Sequence, residues 1–230
     1  MSALLTIVLT LAGALAGMTL LGARSARQCR KPAARAGELV LQRMNASHAG
    51  VTAWGLSHVQ VADDATVLDV GCGGGQTIAT LAALAAHGKV HGLDYSDQSV
   101  ATASALNAGR IAAGQVEIRP GTVSALPYPD DTFDLVTAVE THYYWPDLPR
   151  DVREVRRVLK PGGQLLVVAE TYRGRKNDWL YRPVMRFLLR ATYLTPAQHR
   201  ELLANAGFTD VREFVDAEHG WVCVRGTKPE

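Results

Sequence analysis

Cysteine is scarce in this sequence and poorly placed for pairing: Cys29, Cys72 and Cys223 lie far apart, with no Cys-x-x-Cys among them. A disulfide framework and a thiolate zinc site are therefore not expected, no metal is assigned, and the usage fits a reducing compartment. Acidic residues are missing from the first 37 positions, where Arg24, Arg27, Arg30, Lys31 and Arg35 stand alone. Beyond them, 19 of the 24 basic residues face all 22 acidic ones, so the pI of about 8.5 belongs to the head of the chain. A slightly acidic body lacks the basic face of a nucleic-acid binder, and no nucleic-acid partner is expected. Internal repeats and low-complexity tracts are absent too, so one α/β domain with some extra accounts for 230 residues.

Charge of either sign is missing from residues 2–23, "SALLTIVLTLAGALAGMTLLGA". As a helix this run would span about 33 Å, enough for the hydrocarbon core of a bilayer. A cleaved signal peptide is the other reading, but no basic stretch precedes the apolar run. The positive charges follow it, so an uncleaved anchor over 1–23 is expected, with the rest of the chain on the cytoplasmic side. Gly13 and Gly17 form a small-residue pattern through which two such helices pair as a homodimer, though an Ala/Gly-rich run makes that pattern easily. Residues 24–37 then read as a basic juxtamembrane linker, and 38–230 as the folded domain.

In that domain strand and helix patterns alternate. Strands are read at 66–70, 89–95, 115–120, 133–140 and 162–170, with helices between them, which implies a parallel sheet covered on both faces. Ser96 or Asp97 suits a helix N-cap, and Thr195-Pro196 opens another helix that ends near Gly207. Two closing strands at 209–215 and 220–226 are joined tightly enough to be antiparallel.

The first strand runs into "VLDVGCGGGQT" (67–77). A dinucleotide loop needs a third glycine where this chain has Gln76, and a phosphate-binding loop needs a lysine that is not there. Asp69 adds an acid that disfavours phosphate and suits a cationic amino group or sulfonium. Its alternative role is to cap the following helix. Asp94, at the next strand end, is placed to accept hydrogen bonds from a ribose diol. Together these features describe a nucleoside carrying an amino-acid tail.

In order, "VLDVGCGGGQT", "GLDYS", "SALPYPDDTFDLV" and "EVRRVLKPGGQLLVV" resemble the successive motifs of class I S-adenosylmethionine (SAM)-dependent methyltransferases. The resemblance runs from about residue 40 to the C-terminus and is closest to the ubiquinone/menaquinone C-methyltransferases. It implies a Rossmann-like doubly wound α/β fold, a seven-stranded sheet of order 3-2-1-4-5-7-6 with strand 7 antiparallel. It also implies SAM as methyl donor, with Asp69, Gly71, Cys72 and Gly73 forming the pocket for its methionine part, Asp94 on the ribose and Tyr95 beside the adenine. Where such enzymes usually read Gly-Asp-Ala after strand 3, this chain has Gly121-Thr122-Val123; Thr122 and Val123 take the adenine position without the acid. Glu140 corresponds to the position bordering cofactor and substrate.

Methyl transfer from a sulfonium is an in-line displacement that rests on positioning and desolvation. A base is needed only if the acceptor arrives protonated. "ETHYYW" (140–145) supplies His142 as candidate base and Tyr143, Tyr144 and Trp145 as walls for a small or lipid-like acceptor. His48 is a second candidate base. Each of these side chains also has an ordinary packing role open to it. The insert 171–194 reads as a lid helix with Leu180, Val184, Phe187, Leu188 and Ala191 on one face and Arg182, Arg186 and Arg190 on another. That helix either packs on the domain or lies against a membrane. The overall expectation is a membrane-attached, cytoplasm-facing methyltransferase. The competing expectations are a non-catalytic SAM-binding scaffold and, less well matched, an NAD-type enzyme.

Overall fold

The computed structural model describes Leu41 and residues 47–230. The anchor, linker and Gly13/Gly17 expectations lie outside the described residues. Among those described, no helix is long and apolar enough to cross a membrane.

A leading helix, α1 (47–56), precedes β1 (Thr66–Val70). The elements that follow are α2 (Gln76–Leu84), β2 (Lys89–Asp94), α3 (Asp97–Leu106), α4 (Ala108–Ala112), β3 (Val116–Pro120) and β4 (Phe133–Val139). After a 3-10 turn at His142–Tyr144 come α5 (Leu148–Val158), β5 (Leu159–Ala169), α6 (Asp178–Pro183), a π turn (Val184–Leu188), α7 (Pro196–Asn205), β6 (Thr209–Asp216) and β7 (Trp221–Thr227). The sheet order is β3-β2-β1-β4-β5-β7-β6, with β7 antiparallel to both neighbours. This is the expected doubly wound α/β sheet.

Period-two alternation in the strands sends apolar side chains to both faces, so both faces need cover. Leu68, Val136, Leu165 and Val167 join one core, closed by α5 through Leu148, Val152, Val155 and Val158. Their immediate neighbours Val67, Leu135, Leu166 and Val168 join the other, closed by Val51 of α1 and by Ile78 and Leu81 of α2. Side-chain oxygens fix three helix starts. Ser96 accepts from Ser99 N, Asp147 from Arg150 N, and Thr195 makes a capping box with Gln198.

The chain leaves β1 toward β2 on one side, and β4 lies on the other. This change of winding direction opens a crevice at the C-terminal ends of β1, β2 and β4, where open α/β sheets take their ligands.

The insert departs from its expectation. The apolar spacing over 180–191 is not one packed helix: α6 ends at Pro183 and the π turn carries the chain on. Only Met185 of these two elements is buried; Leu180, Val184, Phe187 and Leu188 of the expected apolar face stay exposed, and Ala191 is half-buried.

Candidate active site

The glycine loop turns directly out of β1. Gly71, Gly73 and Gly75 all take positive φ, at 75°, 51° and 82°. Two of them are also sterically required. A Cβ on Gly71 would drive into the Thr141 hydroxyl, and one on Gly75 would come within 2.8 Å of the Ala103 Cα. Backbone N–H groups of Gly71 and Cys72 donate to Leu93 O at 2.7 and 3.1 Å, tying the loop to the end of β2.

Asp94 completes that tie. One carboxylate oxygen accepts from Gly73 N at 3.0 Å and the other from Ser96 N at 2.9 Å, with the buried Ser99 hydroxyl as a further partner. Burial raises the proton affinity of Asp94, while the hydrogen bonds from Ser96 and Gly73 oppose the shift.

A cleft of about 250 Å³ lies over this loop, lined by Gly71, Gly73, Asp94 and Tyr95, by Thr122 and Val123 across from them, and by Glu140, Tyr144 and Trp145 toward β4. It brings together seven of the nine residues expected to hold SAM. A second hollow of about 60 Å³ adjoins it under the loop, lined by His48, Thr52, Cys72, Gln76, Thr77 and Glu140 among others. It is too small for a nucleoside but suits a short chain end. Gly71, Gly73 and Glu140 line both.

The remaining expectations need correcting. Asp69 lines neither space: it is buried beneath the loop, where Thr137 Oγ1 donates to it at 2.7 Å. Burial pushes its carboxyl up to about 7, with the Asp94 charge adding to the rise. The acid at position 69 is thus held by Thr137 of β4 and does not form the wall of either space. Cys72 faces the smaller hollow only, and burial pushes its thiol far from the thiolate form.

His142 is not at the cleft. It is buried against His199, and burial, with His199 beside it, holds it well below the ordinary histidine range, which removes it as the base. Tyr143 lines neither space, but its hydroxyl donates to Glu140 at 2.6 Å. Of the expected aromatic walls, Tyr144 and Trp145 reach the cleft.

Glu140 is the centre of a cluster that the linear sequence does not announce. It follows the end of β4 with φ at 57°, and Glu170 follows the end of the neighbouring parallel strand β5. The Glu170 N–H donates to one Glu140 oxygen and Tyr143 to the other. His48 Nε2 stands 3.9 Å from a Glu170 oxygen. Burial first, then the Glu170 charge, push the Glu140 carboxyl up to about 8. His48, Glu140 and Glu170 bring one ligand-type atom each within 4.8 Å of one another, the only such group found among the described residues. This donor set is able to hold a cation, whether an ammonium or a metal ion.

Sequence reasoning missed Glu170, Ser99 and Thr141. Glu170 had a usable signal: acids that follow adjacent parallel strands meet at the same sheet edge. Ser99 and Thr141 had none, because their roles come from contacts across the crevice.

The doubly wound sheet, a glycine loop held by an acid at the end of β2 and a cleft at the switch point define a nucleoside-binding α/β domain. Residues 68–167 match the methyltransferase-domain family. The chain is 38% identical over 133 residues to the demethylmenaquinone methyltransferase of Lactiplantibacillus plantarum, covering 57% of this chain and 55% of that one. It is 33% identical over 148 residues to 2-methyl-6-phytyl-1,4-hydroquinone methyltransferase 1 of Oryza sativa subsp. japonica, covering 64% of this chain and 42% of the other. Human N-acetylserotonin methyltransferase, solved in complex with SAM, shares the fold with a TM-score of 0.71 at 20% identity, over 85% of this chain and 56% of that one. Residues 68–167 thus have the sequence pattern of a methyltransferase domain, on a fold shared with solved methyltransferases. It spans about half the length of the curated relatives it matches.

Proposed function

We propose that this protein transfers a methyl group from SAM to a small, apolar, hydroquinone-like acceptor at the cytoplasmic face of a membrane. The observation that carries the reading is the Asp94 carboxylate, fixed at the end of β2 by Gly73 and Ser96 while it lines the cleft.

The residues present fit the donor. Asp94 would accept the ribose hydroxyls, Thr122, Val123 and Tyr95 would border the base, and the smaller hollow would take the amino-acid end beside His48 and Glu140. SAM supplies an electrophilic methyl on a sulfonium. The protein's part is to orient the reactants and exclude water, to which Tyr144 and Trp145 contribute as aromatic walls of the cleft. Burial holds a proton on Glu140 up to about pH 8 in the free protein, so it would act as base toward an acceptor hydroxyl only where bound positive charge has first favoured its carboxylate. Tyr143 and the Glu170 N–H keep that carboxylate in one orientation.

The acceptor class is supported by the two quinone-ring methyltransferases among the relatives and by the aromatic wall. The membrane location is supported by the charge-free run 2–23 and the basic cluster that follows it.

The test is incubation of the full chain with methyl-labelled SAM and an isoprenoid hydroquinone, with a tail-less hydroquinone and a cytosolic extract in parallel. Label in the isoprenoid product supports the reading. SAM binding with no labelled product from any source would overturn the enzymatic part in favour of a binding scaffold. Asp94→Ala should weaken SAM binding by at least about tenfold, or about 1.4 kcal/mol; unchanged affinity would remove the site.

A further inference from the structure

The insert between β5 and α7 presents an apolar surface that nothing in the described domain covers. Trp179 and Phe187 are each 73% exposed, and Leu180, Val184 and Leu188 are exposed beside them. Single exposed apolar residues are ordinary, but five within ten positions on α6 and the π turn form a patch of the kind that marks an interaction site.

The charge around the patch is of one sign. Residues 171–194 contain Arg173, Arg175, Lys176, Arg182, Arg186 and Arg190 against the single acid Asp178, in a body whose other charges sum to an acidic total. Lys176, Arg182, Arg186 and Arg190 are exposed, and none has an ion-pair partner among the described residues. Asp178 is taken up by the Tyr193 hydroxyl at 2.8 Å. Arg175 lies 4.2 Å from the Tyr181 ring centroid and donates to the carbonyls of Glu170 and His219, which holds it to the domain.

We propose that this patch docks on an anionic lipid surface, with Trp179, Leu180, Phe187 and Leu188 entering the interface and Arg182, Arg186 and Arg190 at the headgroups. A surface of tryptophan and aliphatic residues edged by arginines suits the boundary between acyl chains and anionic headgroups, where apolar area and positive charge are satisfied together. The other occupant within reach is the chain's own run 2–23. It carries no charge to meet the arginines, and the linker joining it to the domain adds five more positive charges.

The insert is also tied to the site by hydrogen bonds. Glu170 stands just before the insert, and at its far end Thr192 N donates to Tyr143 O at 2.8 Å. Tyr143 in turn holds Glu140. The inference concerns where the domain sits and does not depend on which acceptor is methylated.

The test uses the full chain on phosphatidylcholine vesicles with and without phosphatidylglycerol, recovered by flotation, with brominated acyl chains as quenchers of tryptophan emission. Vesicle-bound protein should lose emission to bromolipid when phosphatidylglycerol is present. Trp179→Phe should abolish most of that loss while leaving SAM binding unchanged. Arg182→Gln, Arg186→Gln and Arg190→Gln combined should reduce it toward the level on neutral vesicles. Flotation without Trp179-dependent quenching overturns the patch alone, including the case in which residues 2–23 cover it. Quenching equal on neutral and anionic vesicles overturns the charge argument. Failure to float overturns the patch and the membrane location together. Methyl transfer, assayed separately in detergent, tests the enzymatic reading by itself.

Discussion

His142 and His199 face each other Nε2 to Nε2 across 2.9 Å, both buried. One proton has to lie between the two nitrogens. His199 Nδ1 is 2.9 Å from Thr195 O, a pure acceptor, so that nitrogen carries the hydrogen and its Nε2 is a lone pair. His142 then donates from Nε2, which leaves its Nδ1 as a bare lone pair; that atom is indeed buried with no partner. The pair is a neutral one, joining the turn after β4 to α7.

This arrangement makes acid the weak side of the fold. Both groups have proton affinities below the ordinary histidine value of about 6.5, His199 reaching about 4, chiefly through burial. As pH falls below 6.5 the unfolded chain takes up protons that the folded chain refuses, so the contribution is complete above that value. It is lost progressively on the way down to about 4, by an amount on the order of 3 kcal/mol for His199. Urea unfolding at several pH values should show the midpoint dropping through this window. The drop should flatten in His199→Gln; an equally steep profile in that variant would assign the acid sensitivity elsewhere.

Gly71→Ala should disable the loop for two separable reasons. The new Cβ collides with Thr141, and alanine is disfavoured at a φ of 75°. The conformational part costs about 1 kcal/mol. Adding Thr141→Ala removes the hydroxyl but leaves the Thr141 Cβ 2.7 Å away, so it should recover only part of the steric cost in thermal stability. No recovery in the double variant would mean that the collision with the hydroxyl is not what matters.

Cation binding beside Glu140 should release a proton. Its carboxyl titrates at about 8 in the free protein, and a positive ligand stabilises the charged form, lowering that value. SAM affinity should therefore rise with pH up to about 8 and level off. Near neutrality, calorimetric heats should differ between buffers of different ionisation enthalpy, and Glu140→Gln should erase the difference. Identical heats in all buffers with the parent protein would separate Glu140 from the cationic part of the ligand.

The parts of this protein legible in its sequence are those whose cause is local. Gly71 and Gly73 announce a turn because no other residue takes those φ values easily, and the Thr195-Pro196 start is written in adjacent residues. The alternation of strand and helix patterns along the chain implied a parallel sheet covered on both faces. Contacts made across the crevice were not legible. His142 looked like a base because it follows β4, and only the fold brings His199 against it from 57 positions away. Asp69 looked like a ligand group because nothing local reveals Thr137 as its partner. In the insert, apolar spacing described a helix face correctly enough to find the residues, but spacing does not say whether protein, water or lipid meets them.

The backbone of Glu140 has a further consequence for anyone modifying this protein. At a φ of 57° it occupies a region that disfavours side chains by roughly 1 kcal/mol and that glycine enters freely. Exchanging the glutamate for glycine relieves that strain but strands the Tyr143 hydroxyl and the Glu170 N–H, so the two effects on stability oppose each other. Selection on heat tolerance alone is blind to the loss of the acid and has to be scored on turnover as well.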